Sequence, residues 1–128
     1  MVISMRLLLP PFLAILLIAC NTGAPPYQVQ TLPSGKQLKV LGIGEIHSNG
    51  PPALMLKYQT DIPITDVSRL AAEADEIWPV FRVNVERGGF SVAVISANEP
   101  PHGSIITSNS GYNFQYSKSG DGTWSRDK

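Results

Sequence analysis

Apolar and polar residues alternate with a period of two over most of this chain, and the period changes to a helical one once. From Lys36 to His47, Leu38, Val40 and Ile46 alternate with Lys39, Leu41, Ile43, Glu45 and His47. That period predicts a strand with apolar residues on both faces. Gly42 and Gly44 interrupt it and point to a bulge or a close contact. Ser48-Asn49-Gly50-Pro51-Pro52 is a turn signal. Ala53 to Thr60 alternates again, with Leu54, Leu56 and Tyr58 on one face and Met55, Lys57 and Gln59 on the other. Two such runs joined by a short Gly/Pro loop predict an antiparallel hairpin.

The helical stretch follows. Thr65 or Asp66 is placed to accept from the free amides of a first turn. Val67, Leu70, Ala71, Ala74, Ile77, Trp78, Phe81 and Val85 then fall at the three-and-four spacings of one helix face. Asp66, Arg69, Glu73, Glu76, Arg82 and Arg87 are assigned to a solvated face, with Arg69 and Glu73 as an i,i+4 pair. On that assignment, removing Glu73 leaves stability nearly unchanged. Gly88-Gly89 ends the helix. Pro79 predicts a kink between Asp75 and Pro79, because its ring removes one backbone bond and crowds the preceding turn.

Phe90 to Ala97 is a valine-rich run, apolar on both faces, as in a central strand. Asn98 to Gly103 is a Pro-rich break, and Ser104 to Ser108 is a further candidate strand. Tyr112, Phe114 and Tyr116 then alternate with Asn113, Gln115 and Ser117. After the turn Ser119-Gly120-Asp121-Gly122, Thr123 to Ser125 closes a last hairpin. The order predicts an α+β fold: one kinked amphipathic helix packed on a largely antiparallel sheet of about four to six strands. The second face of that sheet is expected to be partly solvated unless a partner covers it.

The N-terminus has a different character. Arg6 precedes an apolar block from Leu7 to Ile18. The block is shorter than the roughly 20 apolar residues of a spanning helix, and Pro10 and Pro11 interrupt it. A charge, a short apolar stretch and a small residue form the pattern of a secretory signal. The sole cysteine, Cys20, follows Leu17-Ile18-Ala19. This string resembles the lipobox of bacterial lipoproteins. The resemblance implies a signal peptide over residues 1–19, cleavage before Cys20, and acylation of Cys20, palmitate included. The membrane is then a partner through lipid alone. Asn21 stands where an aspartate would favour inner-membrane retention, so the resemblance implies the periplasmic face of the outer membrane. Residues 20–35 read as a lipidated tether, with Pro25, Pro26 and Pro33 extending it to roughly 40 Å. Tyr27 to Gln30 alternates and reads alternatively as a short edge strand. Residues 36–128 form the globular domain. The strings Lys57-Tyr58-Gln59-Thr60-Asp61 and Asp75-Glu76-Ile77-Trp78-Pro79 resemble small bacterial proteins with which no activity is associated.

Charge narrows the partners. The chain carries ten basic and ten acidic side chains. Such balance argues against nucleic acid, which needs a basic face. An acylated lone cysteine leaves neither a disulfide framework nor thiol chemistry. Glu45 and His47 lie two apart on a strand and point the same way, a spacing open to acid–base or metal chemistry. Here they read as the polar end of a strand. His102, in Glu99-Pro100-Pro101-His102, is the other histidine, and no spacing joins it to them. No nucleophile elbow, phosphate loop or dinucleotide fingerprint occurs, and no cofactor or metal is expected.

The aromatic residues are the candidate binding groups. Tyr112, Phe114 and Tyr116 share one strand face, and Tyr112, Tyr116 and Trp124 can present rings to a ligand. The alternative is that the stripe packs under the helix, with Phe114 the most buried of the three and Trp78 and Trp124 as packing groups. The sequence therefore reads as a lipid-anchored cell-envelope protein with a non-catalytic binding or scaffolding domain for envelope proteins, peptide or glycan. The alternatives are a hydrolase or metal-dependent enzyme using Glu45, His47 and His102, or an accessory subunit of an envelope assembly.

Overall fold

A computed structural model of the protein describes residues 27–101 and 110–128. Cys20, His102 and the candidate strand from Ser104 to Ser108 lie outside the described residues. Strand order in the sheet follows chain order. The strands are β1 (Gln28–Thr31), β2 (Gln37–Ile46), β3 (Ala53–Gln59), β4 (Val92–Asn98), β5 (Gly111–Lys118) and β6 (Trp124–Arg126), and the helix, α1, is Val67–Arg87. Every neighbouring pair is antiparallel except β3 and β4. The exception follows from the helix. It carries the chain back along the sheet, so β4 starts beside Ala53, where β3 also starts. A parallel pair needs such a crossover, whereas antiparallel neighbours do not. The molecule is thus the α+β fold expected, one helix on a six-stranded, mostly antiparallel sheet.

Asp66 caps the helix, its side chain accepting from the Arg69 amide. The helix runs unbroken through Pro79 to Arg87. At the far end the Phe90 amide donates to the Val85 carbonyl and the Gly89 amide to that of Glu86, both at 3.1 Å. These two bonds satisfy carbonyls left free by the last turn. They require a left-handed residue between them, and Gly89 supplies φ +78°.

Leu70, Ala74, Ile77, Phe81 and Val85 face the sheet and are buried with Leu38, Val40, Leu56, Tyr58, Ala93, Ile95, Ala97, Phe114 and Tyr116. Alternation in β3, β4 and β5 places the core residues as the sequence predicts. Three expectations need correction. Val67 starts the apolar stripe but is exposed, because it sits in the first turn beyond the sheet-facing residues. Ile46 does not share a face with Leu38 and Val40. The register of β2 slips between Val40 and Gly42, and one extra residue reverses the faces that follow. Val40 lies opposite Tyr58, on the helix side, while Ile46 lies opposite Ala53, on the open side. The domain also begins before residue 36. Gln28–Thr31 pairs with Gln37–Val40 as the edge strand β1, and Leu32 is part of the core.

Candidate functional site

Glu73 is the largest departure from the sequence reading. It is 7% exposed, not solvated, and Arg69 pairs with Asp66 at 3.6 Å instead of with Glu73. The Tyr58 hydroxyl donates to Glu73 Oε1 at 2.7 Å and the Thr60 hydroxyl donates to the same oxygen at 2.8 Å. Lys36 Nζ reaches Oε2 at 2.6 Å. One helix turn on, Ser34 donates to Glu76. A buried carboxylate is tolerated only when its oxygens are bonded, and these three donors supply that. Burial, with Glu73 as its acceptor, pushes the Tyr58 hydroxyl far above the ordinary tyrosine range. The phenol therefore stays a donor. The cluster fastens the β1–β2 turn and β3 to the helix, and its reactive atoms are enclosed.

The other flank of the helix is aromatic. Trp78 stacks on Tyr116, with ring centroids 4.3 Å apart and planes 5° apart, and meets Trp124 edge-on at 5.1 Å. The Tyr116 hydroxyl donates to Asp75 Oδ1 at 3.0 Å, and Arg126 Nε donates to the same oxygen at 3.1 Å. The Trp124 indole N–H donates to Glu86 at 2.9 Å. That bond, followed by Arg82, holds Glu86 below the usual carboxylate range. Of the stripe on β5, Tyr116 is 2% exposed, Phe114 5% and Tyr112 39%. The exposure is graded, but Tyr116, not Phe114, is the most enclosed, because Trp78 covers its ring while its hydroxyl is bonded to Asp75. Tyr112 lies against Phe114 at 5.0 Å and keeps an exposed ring. Trp124 is half-buried. The three candidate binding residues are not brought to one surface: Tyr116 is enclosed under Trp78, while Tyr112 lies against Phe114.

His47 Nε2 lies 3.2 Å from Glu45 Oε1, and both side chains are exposed. Among the described residues no three His, Cys, Asp or Glu side chains gather as a metal group.

The concave surface lies on the opposite face of the sheet. Residues Gly44, Met55, Val94 and Gln115 form one row across β2, β3, β4 and β5. Ile46, Ala53, Val92 and Ser117 form the next row, and Gly42, Lys57, Ser96 and Asn113 the row on the other side. Around the central row is a trough of about 430 Å³, lined by Met55, Val92, Val94, Asn113, Gln115 and Ile46 with the β2–β3 loop at one end. Its floor is apolar and its lining carries no charge. The volume is within the range of small-ligand sites. The bulge brings Ile46 to this face, and Gly44 adds no side chain, with open space above its Cα. Sequence reasoning missed the trough because it placed Ile46 on the opposite face. The glycine pair in an otherwise apolar strand was the available signal.

Comparison with family models, curated proteins and solved structures finds no match for the chain. Among the described residues no helix is long and apolar enough to cross a membrane.

Proposed function

We propose that this protein is a lipid-anchored, non-catalytic binding module of the cell envelope, held through Cys20, that engages its partner with the open face of its sheet. The lipobox resemblance supports the anchor. The observation that carries the binding role is the uncharged, apolar-floored trough on the face opposite the helix. Enzymatic chemistry has less support. The one carboxylate buried among the described residues, Glu73, is occupied by Tyr58, Thr60 and Lys36, and Glu45 and His47 are an exposed pair at a strand end.

Two measurements test the reading. Radiolabelled palmitate is expected in the parent protein and absent from the Cys20→Ser variant; equal labelling of both refutes the anchor. For the binding face, a photo-cross-linking amino acid at Gln115 is compared in intact cells with one at Val83, which is exposed on the outer side of the helix. A discrete adduct from position 115, lost on Met55→Glu and never formed from position 83, is the expected result. Adducts from position 83 alone, or from neither position, refute the open-face reading.

A further inference from the structure

An asparagine followed by glycine is open to attack by its own backbone, because glycine has no Cβ to hold its nitrogen away from the preceding side chain. The chain has one such step, Asn49–Gly50, and one aspartate counterpart, Asp121–Gly122. Their surroundings differ. We propose that Asn49 is a site of spontaneous deamidation, and that its product places a carboxylate at one end of the trough.

Asn49 is exposed and lies in the loop between β2 and β3. Neither its carboxamide nor the Gly50 amide forms a hydrogen bond to any described residue. The strand ladder stops at Ile46 and resumes at Ala53, so no sheet bond holds residues 47–52. Nothing lies within 4 Å of a Cβ built on Gly50. The nitrogen and the carboxamide are free to approach each other. Asp121–Gly122 is fastened instead. The Ser119 hydroxyl and the Thr123 amide both donate to Asp121 Oδ1, and the Gly122 amide donates to the Ser119 carbonyl at 2.9 Å. The Ser119 hydroxyl, followed by Thr123, pulls the Asp121 carboxyl down to about 2, and an ionised carboxylate resists attack by nitrogen.

The chemistry needs only water. The Gly50 nitrogen attacks Asn49 Cγ. The N–Cγ bond forms, the Cγ–Nδ2 bond breaks, and Nδ2 takes the Gly50 amide proton and leaves as ammonia. Water then adds to one carbonyl of the resulting succinimide and opens the ring. Cleavage at Cγ gives aspartate, and cleavage at the main-chain carbonyl gives isoaspartate. Nothing is oxidised or reduced.

Ser48, Gly50 and Pro51 line one end of the trough, and none of its lining residues is charged. Conversion of Asn49 puts an anion beside them. An occupant seated there must desolvate that anion, which costs free energy. Only this last consequence rests on the open face being the binding surface. The extra backbone methylene of isoaspartate falls in the loop, outside the strand ladder.

The test holds the full-length protein in detergent micelles at neutral pH and physiological temperature, with tryptic digestion at intervals. The peptide of residues 40–57 contains Asn49 as its only side-chain amide, so a deamidation mass gain in it reports this residue. That gain is expected, together with methyl transfer onto the same peptide by an isoaspartyl methyltransferase. The peptide of residues 119–126, which carries Asp121, is expected to take up little methyl label. Gly50→Ala fits the loop without a close contact and is expected to lose most of both signals. An unchanged Asn49, a Gly50→Ala variant that reacts as fast as the parent, or equal methyl label in the two peptides each overturns the assignment. In intact cells, Asn49→Asp is expected to lower the yield of the adduct from position 115. An unchanged or raised yield overturns the effect on the partner. Absence of that adduct in the parent removes the binding face and leaves the reaction at Asn49 standing.

Discussion

Val94 and Ile95 are consecutive residues of one central strand, and they belong to two different surfaces. Ile95 points to the helix and is fully buried in the core. Val94 points the other way and floors the trough. The contrast extends across the sheet. On the helix side, the polar atoms of Glu73 and Tyr116 are tightly bonded. On the open side the side chains of Asn113 and Lys57 are exposed and make no hydrogen bond or ion pair among the described residues. Strand alternation allows this, because neighbouring side chains on a strand do not share a surface. One face can be committed to packing while the other keeps groups available for a partner.

The comparison predicts a ranking of stability effects, measured as shifts in the denaturation midpoint. Ile77 is the middle of the helix face and 1% exposed. Ile77→Ala should have the largest effect, about 2–5 kcal/mol for a truncated buried isoleucine. Glu73→Ala should follow at about 2–4 kcal/mol, because the Tyr58 and Thr60 hydroxyls lose a shared acceptor in a buried place. A midpoint unchanged by Glu73→Ala would restore the solvated-face assignment. Gln30 tests the same rule with the opposite sign. Its Oε1 is buried without a partner among the described residues, so Gln30→Leu should raise stability by about 1 kcal/mol. Gln115→Ala, on the open face, should change stability by no more than about 0.5 kcal/mol. A large loss there would mean that the open face is structural after all.

Much of the fold was legible because it is written in short-range pattern. The hairpin of β2 and β3, the cap at Asp66 and the glycine stop after Arg87 depend on residues near each other in the chain. The failures have two physical origins. Glu73 lies three residues after Leu70 and four before Ile77, which is a stripe spacing. Its charge argued for solvent, and only Tyr58, Thr60 and Lys36, brought from other elements, reverse that argument. Ile46 failed for a different reason. The glycines announce a bulge, but a bulge exchanges every later inside and outside position, so a period counted straight through it inverts them. The trough depends on register among four strands, which no single segment specifies.

The strands lie in the sheet in the order in which they occur in the chain. Among the described residues no strand is inserted between two earlier ones, and the β3–β4 contact waits for the helix to be crossed. Closing a loop before its contacts form is the slow part of folding for sheet proteins. Here β1, β2 and β3 can zip from their turns and β6 from its turn onto β5, leaving the docking through the helix to join the two halves of the sheet. The rate-limiting step is therefore expected to be the seating of the helix with the Leu56–Ile95 pair beneath it. Substitutions at that seam should slow refolding, while those in the outer hairpins mainly speed unfolding.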